Sequence, residues 1–142
     1  MGSKSEGYEQ QDRHHRHKHK VLFVFGDSYV DTGNRNIPTS PSWKDPYGMT
    51  FPGKPSGRFS DGRVLTDFVA AYMGIPTPIT CRTRHLVAGM RKRFGMNFAY
   101  GVTGVFDTLV PLPNMTTQID LYEQLIRSQL LHRTSVGCRE RL

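Results

Sequence analysis

Apolar side chains enter this chain abruptly. Residues 1–19 are polar and charged, with no periodic apolar positions, so they are expected to form a disordered tail. Val21-Leu22-Phe23-Val24-Phe25 follows as a continuous run of β-formers that stops at Gly26-Asp27-Ser28. A short apolar run with no alternation predicts a strand buried on both faces, as in a parallel sheet. Residues 29–60 are dense in Pro, Gly, Ser, Asn and Asp and predict a long loop. Within it, Trp43, Tyr47, Phe51 and Phe59 predict that the loop packs on the body of the protein.

Helical periodicity begins after that loop. Val64, Leu65, Phe68, Val69, Tyr72 and Met73 fall on one helical face, which is expected to be core. Ser60 or Asp61 is the expected N-cap, Gly74 the C-terminal glycine and Pro76 the stop. Residues 75–93 read as a connector that turns basic. Asn97-Phe98-Ala99-Tyr100 predicts a second strand, followed by a turn through Gly101 and Gly104. A second helix is expected from Thr116 or Thr117, with Thr117 and Asp120 at capping-box spacing. Its expected buried stripe is Ile119, Tyr122, Leu125, Ile126 and Leu130. Strand, helix, strand, helix predicts an α/β fold on a parallel sheet, and the few strands leave that sheet incomplete.

Length and composition narrow the class. The 142 residues suit one domain, and 37% hydrophobic with 22% charged residues suit a globular one. The net charge of +7 is clustered, in the tail from Arg13 to Lys20 and again at Arg82, Arg84, Arg91, Lys92 and Arg93. Aromatic residues do not interleave with these charges as a base-stacking platform requires, so solvated segments are expected and nucleic acid is not. The histidines of the tail are not expected to form a metal site, since a floppy tail fixes no geometry. Cys81 and Cys138 are the two cysteines; they are no disulfide framework and have no zinc-site spacing. Neither a membrane span nor a signal peptide is visible, and no cofactor motif is found.

The chemistry concentrates at the end of the first strand. In open α/β sheets, ligands bind at the C-terminal ends of the strands. A serine on a sharp turn there presents its hydroxyl beside backbone N–H groups, the arrangement needed for acyl transfer. The G-x-S-x-G elbow is not met, because Val30 stands where its last glycine belongs.

The neighbours of the tripeptide give it context. The run Phe23-Val24-Phe25-Gly26-Asp27-Ser28-Tyr29-Val30-Asp31-Thr32-Gly33-Asn34 resembles the first signature block of plant GDSL esterases/lipases. So do Pro46-Tyr47-Gly48, Phe51-Pro52-Gly53 and Gly57-Arg58-Phe59-Ser60-Asp61-Gly62-Arg63. Gly95-Met96-Asn97-Phe98-Ala99-Tyr100-Gly101 resembles the second block. The resemblance implies a three-layer α/β/α fold of the SGNH-hydrolase type, with a flavodoxin-like parallel sheet. It implies an acyl ester or lipid ester as substrate, with Ser28 as nucleophile and its own N–H in the oxyanion hole. A second N–H would come from Val102, which stands where the family has glycine, or from Gly101; the alternative is that Gly101 and Gly104 merely shape a turn.

Two family elements are missing from the chain. No Gly-x-Asn-Asp tetrapeptide is present, and no Asp-x-x-His pair follows the second block. Asp12 and His15 have that spacing, but in the tail, where it is read as chance; His85 and His132 lack the carboxylate. The expected organisation is therefore a tail over 1–19, a partial hydrolase domain over 20–130 and a divergent tail over 131–142. The expected function is a serine ester hydrolase, weak or inactive in this form. The alternatives are a non-catalytic remnant of such an enzyme or a basic nucleic-acid-binding module. The resemblance also implies secretion, under which Asn114-Met115-Thr116 is an N-glycosylation sequon.

Overall fold

The computed structural model describes residues 20–35, 39–86 and 93–137, with side chains to residue 129. The expected 1–19 tail, Cys138, Asp12 and His15 lie outside the described residues.

Three short strands form one parallel sheet: β1 (Leu22–Val24), β2 (Ile79–Thr80) and β3 (Gly95–Asn97), in the order β1-β3-β2. Beyond its last strand residue β3 continues along β1, with Phe98 N–H donating to Val24 O and Tyr100 N–H to Gly26 O. The expected second strand is thus present, shifted toward its N-terminus. Strand β2 was hidden in the predicted connector because two residues following Pro76 and Pro78 carry no periodicity. Gly95 is required where β1 and β3 touch. At φ +105° a Cβ there would lie 2.0 Å from the Leu22 carbonyl oxygen.

The pleat sorts the sheet into two unlike faces. Phe23, Met96 and Ile79 align across one face. With Phe25, Phe98 and Cys81 they form the core, against which Leu121, Tyr122 and Leu125 pack. Tyr122 meets the rings of Phe23, Phe25 and Phe98 edge-on. Val24, Asn97 and Thr80 align on the opposite face, which is polar at its centre.

Helix α1 spans Leu65–Met73 and ends at Gly74 in the left-handed conformation, as expected. Its N-cap is Val64, whose N–H donates to Asp67, and not Ser60 or Asp61. Those two residues stabilise the preceding loop, accepting from Gly62 N–H and from Thr50. The expected apolar face of α1 is also corrected. Val64 is buried, but Leu65 is 57% exposed, Phe68 58% and Tyr72 92%. Thr66, Asp67 and Ala70 face inward instead. Hydrogen bonds set this rotation: Thr66 Oγ1 donates to Val30 O at 2.6 Å, and Arg58 grips Asp67.

Helix α2 spans Met115–Gly137, crossing residue 130 without a break. Its cap is Asn114, whose Oδ1 accepts from Thr117 N–H and Oγ1, so Thr117 is inside the first turn rather than at the cap. The buried stripe includes Gln118, Leu121, Tyr122 and Leu125; Ile119 is exposed. Among the described residues no helix is long and apolar enough to cross a membrane.

The long loop packs on the body, as its aromatics predicted. Trp43 donates from Nε1 to Arg35 O and lies under the Arg82 guanidinium. Arg82 also donates to Gly33 O, so this member of the basic cluster is a structural tie and not a solvated charge.

Candidate active site

Gly26-Asp27-Ser28 leaves β1 at its C-terminal end. Gly26 has φ +142°, and a Cβ on it would lie 2.8 Å from Val30 Cγ2, so the turn requires glycine. The Asp27 carboxylate accepts from Tyr29 N–H at 3.0 Å, and Asp27 O accepts from the N–H groups of Val30 and Asp31. These bonds close a one-turn reversal with Ser28 at its crest. Ser28 is half-buried and lines an open cleft of about 480 Å³ with Tyr29, Phe59, Ser60, Arg63, Val64 and Leu65. Ser28 thus lies just past the end of a parallel strand, where the sequence put it; within the described sheet β3 is central and β1 is at the edge.

A buried polar network ties this turn to the segment after β3. Asp31 is fully buried. Its Oδ1 accepts from Gly33 and Asn34 N–H at 2.7 Å each, and its Oδ2 from Gly101 N–H at 2.8 Å. Burial pushes the Asp31 carboxyl above its ordinary pKa, against the pull of these three N–H groups and of Arg35. Asn34 donates to Asn97 O and Ala99 O, and its Oδ1 accepts from Arg82 N–H. Asn97 donates to Val30 O and Thr32 Oγ1. The polar residues following Ser28 are thus the mortar between two loops, each polar atom matched to a partner.

That network separates the two candidates in the second loop. Gly101 N–H is committed to Asp31, and a Cβ at Gly101 would lie 2.0 Å from the Phe59 ring, the same ring that walls the Ser28 cleft. Val102 is half-exposed with φ +70°. Among the described residues, no acceptor takes the N–H of Val102 or of Ser28. A β-branched residue in the left-handed region is a genuine outlier costing about 1–3 kcal/mol. The surrounding bonds, Gly101 to Asp31 and Thr103 Oγ1 to Tyr100 O at 2.7 Å, hold it there.

Residues 22–135 match the family model of the GDSL-like lipase/acylhydrolase. The chain belongs to this family. Among its relatives in Arabidopsis thaliana, GDSL esterase/lipase At5g03610 is 55% identical over 121 residues, 85% of this chain and 34% of that protein. GDSL esterase/lipase At3g09930 is 52% identical over 136 residues, 95% of this chain and 38% of that protein. Acetylajmalan esterase 2 of Rauvolfia serpentina is 36% identical over 123 residues, 75% of this chain and 33% of that protein. The chain therefore spans about a third of the length of these relatives. No solved structure matches it. The three parallel strands with their helices are part of the α/β fold of the GDSL family.

Of the histidines of this GDSL domain, His85 has a described side chain, and it does not line the Ser28 cleft. His85 lines a different cleft, with Cys81, Met96, Phe98 and Leu125, against the face that α2 covers. The His132 side chain lies outside the described residues. Among the described residues no three potential metal ligands converge. Sequence reasoning missed Gln118, whose amide contacts the backbone of Gly26 on both sides. A glutamine in an otherwise amphipathic helix carries no signal that it faces inward.

Proposed function

We propose that Ser28 is the nucleophile of an acyl-ester hydrolase, with the N–H groups of Ser28 and Val102 as its oxyanion hole. The observation that carries this is the pairing of the two turns by Asp31. Among the described residues it leaves those two N–H groups without an acceptor while Gly101 N–H is committed. The positive φ at Val102 supports the assignment, since a strained backbone is retained where a particular N–H direction is needed. The substrate is an ester whose acyl part lies against Tyr29, Phe59, Val64 and Leu65. The relatives' names, esterase and lipase, agree with that chemistry. Secretion belongs to the same proposal, with Asn114 as the glycosylation site.

In the reaction, Ser28 Oγ adds to the ester carbonyl, and the carbonyl oxygen takes the charge between the two N–H donors. The serine proton must pass to a base, and then to the leaving alcohol. His85, the histidine whose side chain is described, does not line the Ser28 cleft, and on this reading the 142-residue chain turns esters over slowly. Loss of triad members lowers turnover by about four to six orders of magnitude.

The test is a serine-reactive fluorophosphonate probe, followed by peptide mass spectrometry, with a short-chain nitrophenyl ester assay alongside. Slow labelling confined to Ser28 and absent in Ser28→Ala supports the nucleophile. No labelling of Ser28 above other serines overturns it and leaves a non-catalytic remnant. Rapid ester turnover lost in Ser28→Ala would instead overturn the poor-catalyst conclusion.

A further inference from the structure

We infer that Gln118 is a positioning residue, which sets the geometry of the Gly26–Ser28 turn from helix α2. Its side chain is fully buried. Oε1 accepts from Gly26 N–H at 2.9 Å, and Nε2 donates to Gly26 O at 3.0 Å. Nε2 also donates to Pro113 O at 3.0 Å, which fixes the amide relative to the start of α2. The side-chain amide thus engages Gly26 as a neighbouring strand would, donating to its carbonyl and accepting from its N–H. Tyr100 N–H donates to the same Gly26 carbonyl from the segment that follows β3.

Both peptide groups of Gly26 are therefore held just two residues before Ser28. Gly26 is the residue with the freest backbone in this turn, and its φ of +142° is one that only glycine adopts readily. Left alone, such a residue samples several conformations, each aiming Ser28 differently. A buried, doubly bonded amide selects one of them. Leucine in place of Gln118 would fill similar space yet leave Gly26 N–H without an acceptor, a state native interiors avoid.

The inference rests on the site proposed above only for its consequence at Ser28; the geometric part stands on its own. The experiment measures amide hydrogen exchange across the 142-residue chain, with labelling of Ser28 by the fluorophosphonate probe as a second arm. Gln118→Leu is expected to lower protection of the Gly26 amide by about 100-fold or more while the amides of Leu121–Leu125 and of β3 keep theirs. Labelling of Ser28 is expected to slow by about tenfold, the effect of losing a group that orients the nucleophile.

Gln118→Glu covers the case in which the leucine variant does not fold. Its ionised carboxylate still accepts from Gly26 N–H but repels the Gly26 and Pro113 carbonyls. Protonation restores one donor, so Gly26 protection factors should be higher at pH 5 than at pH 7. Unchanged Gly26 protection in a folded leucine variant overturns the inference. So does a uniform loss of protection along the chain, which would make Gln118 a general core residue. So does a glutamate variant with no pH response at Gly26. If the wild-type Ser28 is never labelled, the nucleophile proposal fails, and the exchange arm still decides the role of Gln118.

Discussion

Arg58→Met should remove a sizeable part of the stability of this domain, and by an amount that depends on pH in a direction the site dictates. Arg58 Nε and Nη2 each donate to Asp67 at 2.8 Å. The two side chains are only 12% and 3% exposed, so solvent screens the pair little. Burial alone raises the Asp67 carboxyl. The Arg58 hydrogen bonds and charge, the Val64 N–H and the Thr77 hydroxyl outweigh burial and hold the carboxyl below its ordinary pKa. A depressed carboxyl stabilises the fold above its unfolded value of about pH 4 and loses that stabilisation as pH falls through the folded value. Removing one member of a buried pair costs about 3–5 kcal/mol, because the other charge stays buried. Val64 and Thr77 remain as partners, which places Arg58→Met near the lower end, about 3 kcal/mol at pH 7. Small domains have about 5–15 kcal/mol in total. Without Arg58, burial dominates and the Asp67 carboxyl rises above its ordinary value. The loss should then shrink on acidification to pH 5, as Asp67 takes up a proton. Urea unfolding followed by circular dichroism at pH 7 and pH 5 measures both quantities. A loss below about 1 kcal/mol, typical of exposed pairs, or an equal loss at the two pH values would refute the reasoning.

Val102→Gly should raise the urea midpoint slightly, since relief of about 1–3 kcal/mol of strain exceeds the roughly 0.5–1 kcal/mol entropic cost of glycine; a lowered midpoint would count against a strained Val102. Gly95→Ala should abolish cooperative unfolding, because its Cβ meets the β1 backbone at 2.0 Å, and a cooperative transition in a urea scan would contradict that contact. Asn114→Ala should cost about 1 kcal/mol through loss of the α2 cap, measured by the same scan, with no loss showing that Asn114 is not the cap. With a signal peptide added and expression through a secretory pathway, intact mass should rise by one glycan, and Asn114→Gln should remove it; an unshifted mass would argue against the sequon.

Much of the fold was legible because strand and glycine signals are local. The apolar run before Gly26 and the stop at Gly74 need no knowledge of distant residues. What failed was sidedness. The periodicity of α1 was read as core because large apolar residues usually face inward. Here Thr66 and Asp67 have obligate partners in Val30 and Arg58, and two hydrogen-bond anchors decided which side of α1 faces in. The capping assignments failed for a related reason. Ser60, Asp61 and Thr117 are all competent caps, and contacts within the preceding loop gave the first two other partners. At the candidate site, the position of Ser28 past a strand end was legible from its motif. That Gly101 N–H bonds to Asp31 and Val102 N–H does not was not legible, because it depends on where Asp31 sends its second oxygen. Gln118 was invisible, since its partner is 92 residues away in sequence.

That separation has a consequence for how the protein is made. The Ser28 turn leaves the ribosome first, and the amide that clasps Gly26 follows 92 residues later. At roughly 5–20 residues per second, the turn waits about 5–20 s for its clasp. During that interval Asp31 also lacks Gly101, and Asn34 lacks Asn97 and Ala99. The nascent segment must stay soluble while its hydrogen-bonding groups are still satisfied by water. Its density of Pro, Gly, Ser, Asn and Asp suits that wait, since such a composition neither collapses nor pairs prematurely. The residues that later lock the site are thus also those that keep it open until the last partner has been synthesised.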